Sequence, residues 1–170
     1  MPSDQEFEKL VNLYYGDLYR FGFSLTQNEA DAADLAQQTF YVWANKGYQL
    51  RLASNAKRWL LTTLYREFLQ QYRRHKRFNE QINENPPEQR YEVNDISQTD
   101  VQTMLDCLKK IHENYRAPLV LYYLEDLAYK EIAEVLAVPV GTVQSRIARG
   151  KSQLGQLLNG AGKKKERHFG

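Results

Sequence analysis

LAYKEIAEVLAVPVGTVQSRIARGKSQL, Leu127 to Leu154, is the stretch whose reading decides the fold. Ile132, Ala133 and Leu136 recur at helical spacing, which predicts a short helix over Tyr129–Leu136. Ala133 is small, as a close crossing of two helices requires. Ala137-Val138-Pro139 makes a turn, because proline lacks the amide donor that a continuing helix needs. A second helix follows, with Val143, Ile147 and Leu154 facing inward. Thr142, Gln144, Ser145, Arg146, Arg149 and Lys151 are left on its exposed side. Arginines and short hydroxyls on a helix after such a turn suit the major groove of DNA. Arginine can bond guanine bidentately, and Ser or Thr can bond phosphates or bases.

Upstream, Tyr115–Leu124 is a short and very apolar helix. Val101–Ile111 is amphipathic through Val101, Met104, Leu105, Leu108 and Ile111. Before them, Asn79–Asp100 is polar and acidic and holds Pro86-Pro87, so it reads as a flexible linker. It divides the chain into 1–78 and 101–158, with a short basic tail over 159–170. Each half can bury only a small core.

The first half is also helical. Phe7, Leu10, Val11, Tyr14, Leu18, Phe21 and Leu25 make one amphipathic stripe. Asn28 is a candidate N-cap for a second helix, from about Glu29 to Asn45. Ala32, Leu35, Ala36, Phe40 and Trp43 form its apolar face. Asp31, Asp34, Gln37, Gln38 and Tyr41 form the other face. Lys46–Ala53 reads as a loop, and Ser54 or Asn55 can cap a third helix to about Arg77. Trp59, Leu60, Thr63, Leu64, Phe68 and Leu69 face inward on it, while Arg58, Arg66, Arg73, Arg74, Lys76 and Arg77 supply a basic face and tail. The fold class is therefore all-α, two small helical domains joined by a flexible acidic linker.

The 170 residues carry a formal charge of only +2, but that charge is unevenly spread. Residues 46–78 hold 9 positive and 1 negative charges, and residues 137–170 hold 7 and 1. Residues 1–45 hold 2 and 7, and residues 79–100 hold 1 and 6. Basic blocks on helices suit a polyanion, chiefly nucleic acid, because each neutralised phosphate releases counterions. The single cysteine, Cys107, excludes a disulfide framework and sits on an apolar stripe that reads as buried. Three scattered histidines show no metal-ligand spacing, so neither metal nor cofactor is expected. No apolar run is long enough to span a membrane, and the N-terminus does not read as a signal peptide, so a cytoplasmic location is expected.

With both halves in view, the chain resembles the extracytoplasmic-function sigma factors of the sigma-70 family. DAADLAQQTFYVWA (Asp31–Ala44) is close to that family's D-A-x-D-x-x-Q-x-T-F-x-x-x-W pattern. Lys57-Arg58-Trp59-Leu60-Leu61 is similar to its helix with a central W-L. Leu121–Leu154 is similar to its region 4, most specifically at Gly141-Thr142-Val143-Gln144-Ser145-Arg146.

The resemblance implies a non-catalytic factor that directs core RNA polymerase to a set of promoters. Asp31, Asp34, Gln37, Gln38 and Tyr41, beside Phe40, would dock on the clamp helices of the polymerase beta-prime subunit. The loop before the third helix and the start of that helix would recognise and open the minus-10 element. Candidates there are Tyr48, Ser54, Asn55, Lys57, Arg58, Thr62 and Arg66, with Arg73 and Arg74 on phosphates; Trp59 reads as core. Holding an unstacked base needs such a pocket over a basic helix. Thr142, Gln144, Ser145, Arg146, Arg149 and Lys151 would read the minus-35 element. A surface near Leu119–Leu124 would meet the beta flap, and an anti-sigma factor is an expected further partner. No small-molecule substrate is implied.

Three readings from other classes compete. A stand-alone helix-turn-helix regulator would explain 127–154 and leave 1–78 without a role. A nucleic-acid-processing enzyme could hold magnesium on Asp31 and Asp34, which share a helix face, but no further motif stands beside them. An adaptor that binds polymerase without DNA has no need of two basic helices.

Overall fold

The computed structural model describes residues 4–46, 56–82 and 100–167. These form seven α-helices: α1 Asp4–Thr26, α2 Glu29–Lys46, α3 Ala56–Ile82, α4 Asp100–Lys109, α5 Glu113–Tyr123, α6 Tyr129–Leu136 and α7 Val140–Arg167. No strand occurs among the described residues. The loop expected after Lys46 and most of the expected linker, residues 83–99, lie outside them.

The helix boundaries have local causes. Gln27 takes a left-handed conformation at φ 55° and its N–H donates to Phe23 O, which ends α1. Asn28 Oδ1 then accepts the Asp31 N–H at 3.0 Å, the N-cap expected of it. His112 caps α5, its Nδ1 accepting the Asn114 N–H. Pro118 lies within α5, a position that removes one ladder hydrogen bond. α6 spans the eight residues expected of it and ends at Ala137, left-handed at φ 54° and ψ 47°. The N–H groups of Ala137 and Val138 both donate to Ala133 O, so the turn closes on the backbone of the residue singled out for smallness.

Three boundaries differ from expectation. α3 runs to Ile82, four residues into the stretch read as linker, since nothing from Asn79 to Ile82 breaks a helix. α7 continues to Arg167, so the basic tail expected to be flexible is helical as far as that residue. Lysine, glutamate and arginine are good helix formers, and no proline interrupts them. α4 stops at Lys109, two residues short of the expected Ile111.

α1, α2 and α3 pack together, and α4 to α7 form a second group. The groups also touch, α1 against α4 and α5, and α3 against α6. One buried apolar cluster therefore runs from Leu18 through Leu35, Leu60 and Leu64 to Leu119, Ile132, Val143 and Leu154. Phe40, Trp43 and Cys107 are buried as expected. Trp59 packs edge-on against Trp43, ring centres 5.1 Å apart, in keeping with its reading as core. Leu61 lies outside the stripe expected for α3 yet is fully buried. It stands one helical turn from Arg58, whose guanidinium faces α6, so α3 is packed on two sides rather than one.

Candidate nucleic-acid interface

Asp31, Asp34, Gln37, Gln38 and Tyr41 advance along α2 at three- and four-residue steps, so they share one face. That face lies opposite buried Ala32, Leu35, Ala36, Thr39 and Trp43. Tyr41 is 64% exposed, unusual for a large aromatic ring, while its neighbour Phe40 is buried against Phe7 and Tyr15.

The start of α3 carries the minus-10 candidates that fall within the described residues. Tyr48, Ser54 and Asn55 lie outside them. Arg58, Thr62, Arg66 and Arg73 are spaced to fall on one stripe, roughly opposite Leu60 and Leu64. Arg66, Arg73 and Arg74 are exposed. The Thr62 hydroxyl donates to Arg58 O at 2.8 Å, the back-bonding common for threonine within helices.

Lys57 turns to a different side, toward the second half. Its Nζ lies 3.1 Å from Glu125 Oε2 and donates to Glu125 O at 3.3 Å. The Glu125 carboxylate has no exposed side-chain surface and also accepts from Arg20 of α1, whose Nη2 lies at 3.2 Å. Arg20 in turn bonds Asp17 at 2.8 Å. Burial pushes the Glu125 carboxyl above the usual carboxylate range, Asp17 adds to the rise, and Lys57 opposes it. Burial wins because a carboxylate loses more on leaving water than two half-exposed cations return. Arg58 Nη1 lies 3.4 Å from Glu134 Oε2 and 3.8 Å from Glu131 Oε2, both on α6.

On α7, Val143, Ile147, Gly150 and Leu154 face the core. Thr142, Ser145, Arg146 and Arg149 fall on one outward face within about one quarter of the helix circumference. The Ser145 hydroxyl donates to Thr142 O at 3.1 Å. Gln144 and Lys151, two turns apart, lie on the other flank, roughly 160° away. The Lys151 ammonium sits 5.1 Å from the Tyr122 ring centre and 5.6 Å from that of Tyr123. A hydrogen bond with Tyr123 holds it above the usual lysine range. Four of the six minus-35 candidates are thus together, and two are apart.

Glu125, Arg20 and Asp17 were not singled out from sequence. An acidic residue after an apolar run carries no sign of a partner 68 positions earlier. Among the described residues, no group of histidine, cysteine or acidic side chains could hold a metal ion. Nor is any helix there long and apolar enough to cross a membrane.

Comparison with known proteins matches the family model for sigma-70 region 2 to residues 10–78 and that for sigma-70 region 4 to residues 102–154. The ECF RNA polymerase sigma factor SigE of Mycolicibacterium smegmatis is 34% identical over 168 residues, covering 93% of this chain and 62% of that protein. The ECF sigma factor SigM of Bacillus subtilis is 25% identical over 167 residues, covering 89% of this chain and 94% of SigM. Among solved structures, the sigma factor RpoE of Bartonella quintana, in complex with the anti-sigma factor NepR, aligns with TM-score 0.78 and 25% identity. That alignment covers 91% of this chain and 98% of RpoE. CnrH, solved with the cytosolic domain of CnrY, shares the fold at TM-score 0.64 and 20% identity, covering 94% of this chain and 91% of CnrH.

Proposed function

This chain belongs to the sigma-70 family, carrying its regions 2 and 4 in the manner of the extracytoplasmic-function members, and from that premise we propose that it directs core RNA polymerase to a particular promoter set. One observation carries the reading: a single chain holds both regions, each presenting an exposed row of arginines on one helix. Residues 1–78 dock on the polymerase through Asp31, Asp34, Gln37, Gln38 and Tyr41. They open the minus-10 element with the loop before α3 and with Lys57, Arg58, Thr62 and Arg66. Arg73 and Arg74 hold phosphates, which position the protein without reading sequence. Residues 101–158 read the minus-35 element, chiefly through Thr142, Ser145, Arg146 and Arg149. Lys151 and Gln144, on the other flank, serve its edge.

The chain itself performs no catalysis; the polymerase does. It works in the cytoplasm, where the polymerase and the DNA are. An anti-sigma partner is proposed by analogy with RpoE, whose structure contains one.

Run-off transcription with core polymerase on a promoter library, with and without the chain, tests this. Starts that depend on the chain at a shared paired motif, lost on Arg146→Ala or Arg58→Ala, are expected. No starts, with tight duplex binding in the absence of polymerase, would replace the reading with a stand-alone regulator.

A further inference from the structure

Both cations at the start of α3 meet carboxylates of the other half. Lys57 meets Glu125, and Arg58 meets Glu131 and Glu134. Glu125 lies between α5 and α6, and Glu131 and Glu134 stand one turn apart on α6. Their oxygens lie where phosphate oxygens would lie against the same cations, since carboxylate and phosphate are recognised by the same charge-assisted bonds. We propose that the second half masks the DNA-opening end of α3, with Glu125, Glu131 and Glu134 standing in for promoter phosphates, so that the free chain inhibits its own DNA binding until the halves separate. The proposal rests on the reading of Lys57 and Arg58 as DNA contacts.

The geometry favours a mask over an incidental surface pair. All three carboxylates converge on adjacent residues, and the packing of α6 on α3 holds them there. Glu125 has lost all contact with water, which isolated surface pairs do not require. Arg20 from α1 joins the same carboxylate, so three helices and one connection meet at a point.

The test uses the full chain without polymerase and a fluorescein-labelled single-stranded DNA of mixed sequence, read by anisotropy. Glu131→Gln/Glu134→Gln removes the two exposed pairs. The new amide oxygen on the first of these side chains can still accept the Ala128 N–H that Glu131 Oε1 accepts at 3.2 Å. Asp4→Asn/Glu8→Gln makes the same charge change at the far end of α1, on exposed residues. Arg58→Ala is made in each background. The α6 variant should bind about threefold to tenfold more tightly than the α1 control, a range set by two exposed ion pairs. Arg58→Ala should weaken binding more in the α6 variant than in the parent, because only there have its α6 carboxylates been neutralised.

Equal tightening by the two variants, with Arg58→Ala weakening every background alike, overturns the mask and leaves the DNA role of Arg58 intact. So does tightening by the α6 variant alone if the Arg58→Ala effect is unchanged by it, since the gain is then general electrostatics. No effect of Arg58→Ala in any background removes the DNA role itself, and the mask with it.

Discussion

Gly150 and Gly155 lie five residues apart on α7, and the same substitution should act on them with opposite sign. A methyl group on Gly150 would stand 2.8 Å from Leu119 Cδ1, 3.0 Å from Leu119 Cγ and 3.2 Å from Tyr115 Cβ. Leu119 is fully buried, so its branch cannot swing aside without displacing neighbours. A methyl group on Gly155 would meet nothing within 4 Å. Replacing either glycine by alanine gains about 1 kcal/mol of helix propensity. At Gly150 the overpacking costs about 1–3 kcal/mol, so the net effect is a loss of about 1 kcal/mol. At Gly155 the gain stands alone. The two variants should therefore differ by about 2 kcal/mol. With a slope of about 2 kcal/mol per molar urea, the unfolding midpoints should part by about 1 M. Equilibrium urea unfolding followed by circular dichroism measures this directly. If Gly150→Ala stabilises as much as Gly155→Ala, α7 is not seated on α5 as described, and the orientation of Arg146 and Arg149 loses its support.

Two further outcomes are expected. Ala137→Gly should stabilise the chain by about 0.5 kcal/mol: a left-handed alanine is strained by about 1 kcal/mol, and the looser unfolded chain returns part of the gain. The same urea titration reads it, and a loss of stability would mean that the turn does not hold that conformation. Glu125 should make stability fall as pH rises. Its folded carboxyl is raised above the ordinary 4.5, so the folded state holds the proton more tightly than the unfolded state does. That stabilisation is full well below 4.5 and fades as pH climbs through the raised folded value. Asp17, Arg20 and Lys57 are the charged groups facing it. Glu125→Gln, which keeps the shape and has no charge to lose, should remove this part of the pH dependence from pH 4.5 up to neutrality. An unchanged slope would contradict the burial argument.

Much of the fold was legible because the apolar positions repeat so regularly. Ile132, Ala133 and Leu136 set α6 to the residue, and Asn28 capped α2 as its side chain allows. Local rules failed where a helix end depends on what is absent. Nothing between Asn79 and Ile82 stops α3, and composition alone made that stretch look like linker. The candidate sites divide in the same way. The α2 face and the Thr142, Ser145, Arg146 and Arg149 face follow from helical periodicity. Lys151 could not be placed that way, because its position depends on Tyr122 and Tyr123 of another helix. Leu61 and Glu125 are buried by residues far along the chain, and no local pattern encodes that meeting.

The unbroken apolar cluster gives the joint between the halves a thermal character. Parting the halves brings buried apolar surface to water, a change that carries a positive heat capacity. Apolar contact weakens on cooling, whereas the charged rim around Glu125 and Arg58 answers chiefly to salt. Warmth and ionic strength thus act on different parts of the same seam. The halves should come apart most readily in the cold and at high salt, and a growth-temperature shift alone would move the balance between the closed and open forms of the chain.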